Sequence, residues 1–312
     1  MEGSLLILTF LTAVATVGLS IPLARALGIV DRPGAIKIHT LPTPRFGGVG
    51  IVVAFGLWGW QSGLLGGGAL LGLLIIAFTG ALDDRYGLTP KVRLAAELVA
   101  GVALGLHFWP ELGGVGLLLG VVLVPTMANA VNLIDGMNGL ASGNAIISAL
   151  GVAVLLWGTP QATLALLAAA SLLGFLVWNY PQAKTFMGDV GSLSTGYMLA
   201  MLWIAATTHG GQTFLAAGAM LAFPLYDTLA GIVRRWRRGK PIFDGDRDHT
   251  YDRLDQLYIQ NPSKTVLVVW LLSGLLVLLG LWVNQSPLPW GLAGLGLSLA
   301  LLLWGAYRLG SL

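Results

Sequence analysis

Long uncharged apolar runs alternate with short polar segments along the whole chain. Eleven runs can be delimited, near residues 4–27, 47–64, 67–82, 94–109, 113–129, 143–158, 161–178, 193–208, 212–233, 265–283 and 288–307. None shows the every-second-residue alternation of a half-buried strand, and open strands cannot satisfy their backbone in lipid. A hydrocarbon layer of about 30 Å is crossed by about 20 apolar residues in a helix. The pattern predicts an all-α, polytopic integral membrane protein of about eleven transmembrane helices, forming a single domain over residues 1–312.

Composition narrows the alternatives. Hydrophobic residues make up 56% of the chain, glycine contributes 44 more, and only 10% of residues are charged, where about 25% is usual in soluble domains. A water-soluble globule lacks the interior to hide so much apolar surface, and a disordered chain is polar and charge-rich. The 44 glycines suit close helix approach in lipid. With no cysteine, a disulfide scaffold, thiolate metal sites and cysteine nucleophiles are excluded. The first run begins with Glu2 rather than a basic segment, so it is read as a retained helix, not a cleaved signal peptide.

Charge sets the expected orientation. Eleven alternating spans put segments 28–46, 83–93, 130–142, 179–192 and 234–264, and the end 308–312, on one side. All 17 Lys and Arg lie on or next to that side. Basic residues stay cytoplasmic, which predicts the N-terminus outside and the C-terminus inside. It also accounts for the net charge of +3 without a nucleic-acid partner. The outer connections are short, so any chemistry is expected in the cytoplasmic loops of a cell-membrane protein.

Five polar segments stand out there. LDDRYGLTPKVR carries Asp83 and Asp84 at the end of an apolar run, followed by Lys91 and Arg93. This reads either as a charged helix end or as a Mg²⁺ site or general base beside phosphate-holding cations. In NAVNLIDGMNGLASG, Asn129, Asn132, Asp135 and Asn138 recur every third residue; a turn is the plain reading, but the residues continue a membrane run directly, which favours function. FMGDVGSLSTG sets Asp189 among glycines before another run, either as a helix cap or beside an anion site. The basic stretch from Arg234 to Lys240 reads as an anchor on anionic headgroups, whereas the following Asp244, Asp246, Asp248, His249, Asp252 and Arg253 gather carboxylates, a histidine and a cation. Lys37, His39 and Arg45 lie in a Pro- and Gly-rich connector. Glu97, one turn past Arg93, reads as its ion-pair partner. Asp227 lies in an apolar run about two turns before Arg234, where a carboxylate is a functional candidate by default.

Together these segments resemble the polyprenyl-phosphate N-acetylhexosamine-1-phosphate transferases, the MraY/WecA type. The pieces are DRPGAIKIHTLPTPRFGG, LDDRYGLTPKVR, NAVNLIDGMNGLASG, FMGDVGSLSTG, PLYDTLAGIVRR and GDRDHTYDRL, in family order across nearly the whole chain. The resemblance implies ten or eleven helices, Mg²⁺ with Mn²⁺ as the alternative ion, a UDP-sugar donor, a polyprenyl phosphate acceptor of the undecaprenyl type, and a homodimer as the family expectation. It implies catalytic roles for Asp83, Asp84, Asp135 and His249 and metal binding by Asp189. It also implies substrate binding by Lys37, His39, Arg45, Lys91, Arg93, Asn129, Asn132, Asn138, Asn179, Phe186, Asp227 and Arg253, with Phe186 stacking near the uracil. Two departures are visible. Asn138 stands where the family has a carboxylate, and HTYD replaces the family's His-x-His-His, so only His249 carries over. The triple-histidine signature of the muramoyl-pentapeptide branch is missing, which favours a UDP-N-acetylglucosamine donor. The rivals from other classes are a secondary transporter, which would hold its charges near the bilayer midplane, and a non-catalytic scaffold.

Overall fold

The computed structural model describes residues 2–33, 41–239 and 247–312. They form helices α1 (Glu2–Leu27), α2 (Gly48–Gln61), α3 (Gly67–Tyr86), α4 (Pro90–His107), the single turn α5 (Trp109–Leu112), α6 (Gly114–Ile134), α7 (Leu140–Leu155), α8 (Pro160–Asn179), α9 (Gly188–Thr207), α10 (Gly211–Met220), α11 (Ala222–Arg237), α12 (Thr250–Leu254), α13 (Pro262–Gln285) and α14 (Leu288–Arg308). A π-helical turn, Asp255–Ile259, follows α12. Strands β1 (Val30–Asp31) and β2 (Thr43–Pro44) pair antiparallel. The helix starts are written in the sequence. α4, α8 and α13 open on Thr89-Pro90, Thr159-Pro160 and Asn261-Pro262, because proline's fixed φ and missing N–H suit the first helical position. The Thr159 and Asn261 side chains also accept a first-turn N–H. α3 ends on Gly87 in the left-handed region, φ +69°.

Each of the eleven apolar runs coincides with one helix, or with the pair α10 and α11. Among the described residues, seven helices are long and apolar enough to cross a membrane: α1 from Gly3, α3, α6, α8, α9, α13 and α14. The pair α10 and α11, bent by 68°, makes an eighth if it is one span. α2 and α7, with 14 and 16 residues, reach only about 21 and 24 Å at 1.5 Å per residue. α4 carries Lys91, Arg93 and Glu97 within 18 residues. The chain is therefore a multi-pass, all-α membrane protein, with length and charge separating these three helices from the clear spans.

α9 is the hub. In its most apolar stretch 89% of residues are buried, against 6% in α14. Small residues bring its neighbours in. A Cβ on Gly80 of α3 would lie 2.5 Å from the Val190 backbone, one on Gly48 of α2 would overlap Gly191, and one on Gly196 would overlap Ala128 of α6. Without a hydrophobic force between helices in lipid, such close packing is what associates them. The first turn of α9 is thereby fixed at the meeting point of α2, α3 and α6.

The bend between α10 and α11 has a local cause. Pro224 has no N–H to offer the Met220 carbonyl four residues back. Ser148 of α7 donates to that carbonyl instead, at 2.8 Å. Ser148→Ala strands a buried acceptor, at a cost of about 1–3 kcal/mol. A lower unfolding midpoint of the purified protein in detergent is expected; a midpoint equal to the parent's would show that the bend does not need this bond.

Candidate active site

Two loops lace together at one end of α9. In the first, Val30 pairs with Pro44 and Asp31 with Thr43, and Arg45 N–H donates to Ile29 O at 3.1 Å. The second runs along it: Phe186 N–H donates to Pro44 O at 2.8 Å, and Gly47 and Gly48 donate to Phe186 O and Met187 O at 3.0 Å each. Thr185 Oγ1 donates to Pro44 O at 3.0 Å. This lacing delivers Arg45 to the first turn of α9. Gly188 must be glycine here. Its φ is +69°, and a Cβ would stand 2.5 Å from both Arg45 O and Asp84 Oδ2.

The carboxylates converge around that turn and divide the work. Asp84, with its side chain fully inaccessible, accepts the N–H groups of Asp189 at 2.9 Å and Val190 at 3.0 Å. Arg45 pairs with the same carboxylate at 2.7 Å. Asp84 of α3 is thus an anion on the positive end of another helix. Asp83 accepts from Leu88 N–H and pairs with Arg93 at 3.0 Å. Asp83 and Asp84, read in the sequence as a Mg²⁺ site or general base, thus each have an arginine and a backbone N–H as partners, and the Asp83 side chain also lies against that of Asp189. Asp189 keeps 18% of its side chain accessible. It accepts from Asn132 Nδ2 at 2.8 Å and lies 3.7 Å from both Arg45 and Arg93.

Asp189, Asn132, Asp135, Asn138, Asn179, Phe186 and Arg45 line one cavity of about 480 Å³, within the size range of small-molecule sites. Asp135 follows the last residue of α6. Burial, and then the negative charges of Asp189 and Asp84, push its carboxyl up to about 8. Asn179 ties the floor: Gly139 N–H donates to its Oδ1 at 2.6 Å, and its Nδ2 donates to Thr185 O at 3.0 Å. Asn138 Nδ2 donates to Pro181 O at 3.2 Å. Asp31 and Arg247 also line the cavity. Sequence reasoning passed over both, although Arg247 lies in the mixed-charge segment already singled out.

Other expected site residues lie elsewhere. Asn129 is turned to α4, where its Nδ2 donates to Glu97 Oε2 at 2.6 Å, so it does not reach the cavity. The expected Glu97–Arg93 ion pair is replaced by this contact: Arg93 turns to Asp83. Lys91 is exposed. His249 is 4% exposed and pairs through Nδ1 with Asp227 Oδ2 at 2.6 Å, while Thr250 N–H donates to Asp227 Oδ1 at 2.8 Å. Arg253 pairs with Asp248 at 2.9 Å. Among the described residues, none of Asn129, Lys91, Arg93, Asp83, Asp84, His249, Asp227 and Arg253 lines the cavity. Lys37, His39, Asp244 and Asp246 lie outside the described residues.

Oxygen donors suited to a hard cation meet here: Asp189, Asp135 and Asn132. Among the described residues no three His, Asp or Glu side chains form a ready cage. That donor set fits magnesium, which takes one or two carboxylates and fills its sphere with water and substrate phosphates.

Residues 67–207, from α3 through α9, match glycosyl transferase family 4. The chain is 32% identical over 308 residues to the decaprenyl-phosphate N-acetylglucosaminephosphotransferase of Mycobacterium tuberculosis, covering 81% of this chain and 75% of that protein. It is 30% identical over 296 residues to the undecaprenyl-phosphate alpha-N-acetylglucosaminyl 1-phosphate transferase of Escherichia coli K12, covering 84% and 78%. The chain belongs to this family of sugar-1-phosphate transferases. The matched stretch contains Asp83, Asp84, Asp135 and Asp189 and ends with the hub helix, so the family signature and the converging carboxylates are the same part of the molecule.

The division of labour is separable by substitution. Asp84→Ala removes the cap of α9 and leaves Arg45 without its closest partner, at a cost of about 3–5 kcal/mol for a broken buried pair. It is expected to lower the unfolding midpoint and abolish activity together. Asp135→Ala is expected to abolish activity while leaving the midpoint within about a degree of the parent. Equal loss of stability in both variants would contradict the assignment.

Proposed function

We propose that this protein transfers N-acetylglucosamine 1-phosphate from UDP-N-acetylglucosamine to a polyprenyl phosphate, giving polyprenyl-diphosphate N-acetylglucosamine and UMP. The observation that carries the reading is the gathering of Arg45, Asn132, Asp135 and Asp189 on one cavity at the ends of membrane helices. A lipid-linked phosphate is held at headgroup depth, and a nucleotide sugar arrives from water. A polar cavity at helix ends is where the two meet. The positive-inside bias favours a cavity on the cytoplasmic face of the cell membrane; counting the short α2 and α7 and the charged α4 as crossings, with the seven clear spans and the bent pair, gives eleven spans, the amino terminus outside and the carboxyl terminus inside. The two relatives' names, both of N-acetylglucosamine-phosphate transferases, support the donor.

Direct transfer needs one bond made and one broken. An oxygen of the lipid phosphate attacks the sugar-bearing phosphorus, and the bond to the bridging oxygen breaks, leaving on UMP. Charge on the transferred group must be offset as it spreads over the phosphoryl oxygens. Arg45, bonded to Asp84, and Arg247, bonded to the buried Asp252 at 2.8 Å, stand at the cavity wall, and Asn132 holds Asp189 in place. Asp135 has a carboxyl near neutrality and an open face, the properties of an acid–base group working near pH 7. Mg²⁺, held by Asp189 with Asp135 and Asn132 beside it, would offset diphosphate charge when bound. Phe186 offers an aromatic face for the uracil. Lys37 and His39 are proposed substrate contacts from the same loop as Arg45.

Purified protein given polyprenyl phosphate, Mg²⁺ and UDP-N-acetylglucosamine is expected to release UMP in step with lipid product; uptake into vesicles without UMP release would instead make it a transporter. Asp189→Asn is expected to lower turnover about 100-fold or more, the scale of losing a key electrostatic group. The raised carboxyl of Asp135 carries a proton at pH 7, below its value of about 8. A cation arriving beside it favours the carboxylate, so Mg²⁺ binding is expected to release protons at pH 7 and none at pH 9.5. Weakly buffered titration of parent and Asp135→Asn reads this: equal proton release from both would remove Asp135 from the metal's surroundings.

A further inference from the structure

His249 and Asp227 form a buried pair outside the cavity lining, which leaves their connection to the chemistry open. Tyr251 supplies it. The His249 ring lies nearly parallel to the Tyr251 ring, with 5.5 Å between centroids and 14° between planes. Tyr251 is 3% exposed, and its hydroxyl donates to Leu133 O at 3.3 Å. Leu133 belongs to the last turn of α6, whose carbonyls lack a partner within the helix. On the other side of Asp135, Gly136 has the Tyr251 hydroxyl where its Cβ would be, with ring carbon Cζ at 3.1 Å. Leu133 and Gly136 bracket Asp135, and Gly136 itself lines the cavity. Burial, followed by the charge of Asp252, holds the Tyr251 hydroxyl well above the ordinary tyrosine range, so it stays a donor. The sequence reading passed over this residue, seeing only HTYD where the family has His-x-His-His.

We infer that Tyr251 is a positioning residue: held by the His249–Asp227 pair, it supports the Leu133–Gly136 turn and so sets the place of Asp135 in the cavity. This rests on the transferase reading and assigns His249 a role through Tyr251 rather than on substrate. It also explains the glycine at 136, since any side chain there must displace the tyrosine.

The test is a coupling experiment on full-length protein in detergent, with UMP release, UMP binding and unfolding midpoint measured for each variant. Tyr251→Phe keeps the ring and loses one hydrogen bond, so kcat is expected to fall about fivefold. Tyr251→Ala removes the support and is expected to lower kcat about 100-fold with UMP affinity within about twofold of the parent, the size of effect a small misplacement produces. Gly136→Ala is expected to lose about 100-fold, and Gly136→Ala with Tyr251→Phe to regain at least about tenfold, because the hydroxyl that blocked the methyl is gone. A double variant no better than Gly136→Ala, or Tyr251→Ala with unchanged kcat and a lower midpoint, overturns the inference. If Gly136→Ala does not fold, recovery of folding in the double variant is the same readout. If the parent itself releases no UMP, the transferase reading falls, and the coupling is decided on the midpoints alone.

Discussion

The site depends on one ionic contact, the Asp84 carboxylate seated on the N-terminus of α9 and paired with Arg45. It joins three parts of the chain with no sequence proximity: the end of α3, the start of α9 and the first loop. A helix end buried among other helices needs partners for its free N–H groups, and here a carboxylate from another helix provides them. The guanidinium offsets the charge that this carboxylate brings into a dry place. Each of the three loses its closest partner when another is removed, so the arrangement is cooperative.

Small residues make that contact geometrically possible. Asp84 can reach the α9 backbone only because Gly80, one turn before it, lets α3 and α9 touch backbone to backbone. The same economy of side chain at Gly48 and Gly191, and at Gly196 against Ala128, holds α2 and α6 against the hub. The polar end and the apolar interior are therefore not separate designs. The glycine contacts set the positions of the helix ends, and the helix ends hold the charges.

Much of this was legible in the sequence. Apolar runs located every long helix because lipid imposes length and composition directly on the chain. Asp84, Asp135, Asp189 and Arg45 stood out because charge next to a membrane run is costly unless used. What spacing could not carry was direction across space. Asn129 and Asn132 belong to the same three-residue series, yet one turns to Glu97 on α4 and the other to Asp189 on α9, since residues three apart on a helix point about 60° apart around its axis. Asp83 and Asp84 are neighbours in sequence and look interchangeable, but consecutive helix positions diverge by about 100°, so one meets Arg93 and the other Arg45. Tyr251 was invisible for a related reason: its significance lies in a turn 118 residues earlier.

The charge balance explains why the four aspartates do not behave alike. Asp83, Asp84, Asp135 and Asp189 face Arg45 and Arg93 as the cations bonded to or beside them. Among the described residues these four carboxylates outnumber the two guanidiniums, and Arg247 on the cavity wall is itself paired with the buried Asp252 at 2.8 Å, so like charges stand close in surroundings where they repel strongly. Asp83 and Asp84 each have an arginine and at least one backbone N–H as partners. Asp135 has neither in direct contact, and burial, with the charges of Asp189 and Asp84, pushes its carboxyl up to about 8. The substrates of a phosphoryl transfer bring further negative charge. Among the described residues Asp189 and Asp135 thus have more negative than positive charge close by, an electrostatic setting that suits a divalent cation. The arginines nearest Asp189 are already bonded to Asp84 and Asp83, which holds the helix ends in place and leaves the oxygen donors of Asp189, Asp135 and Asn132 facing the cavity.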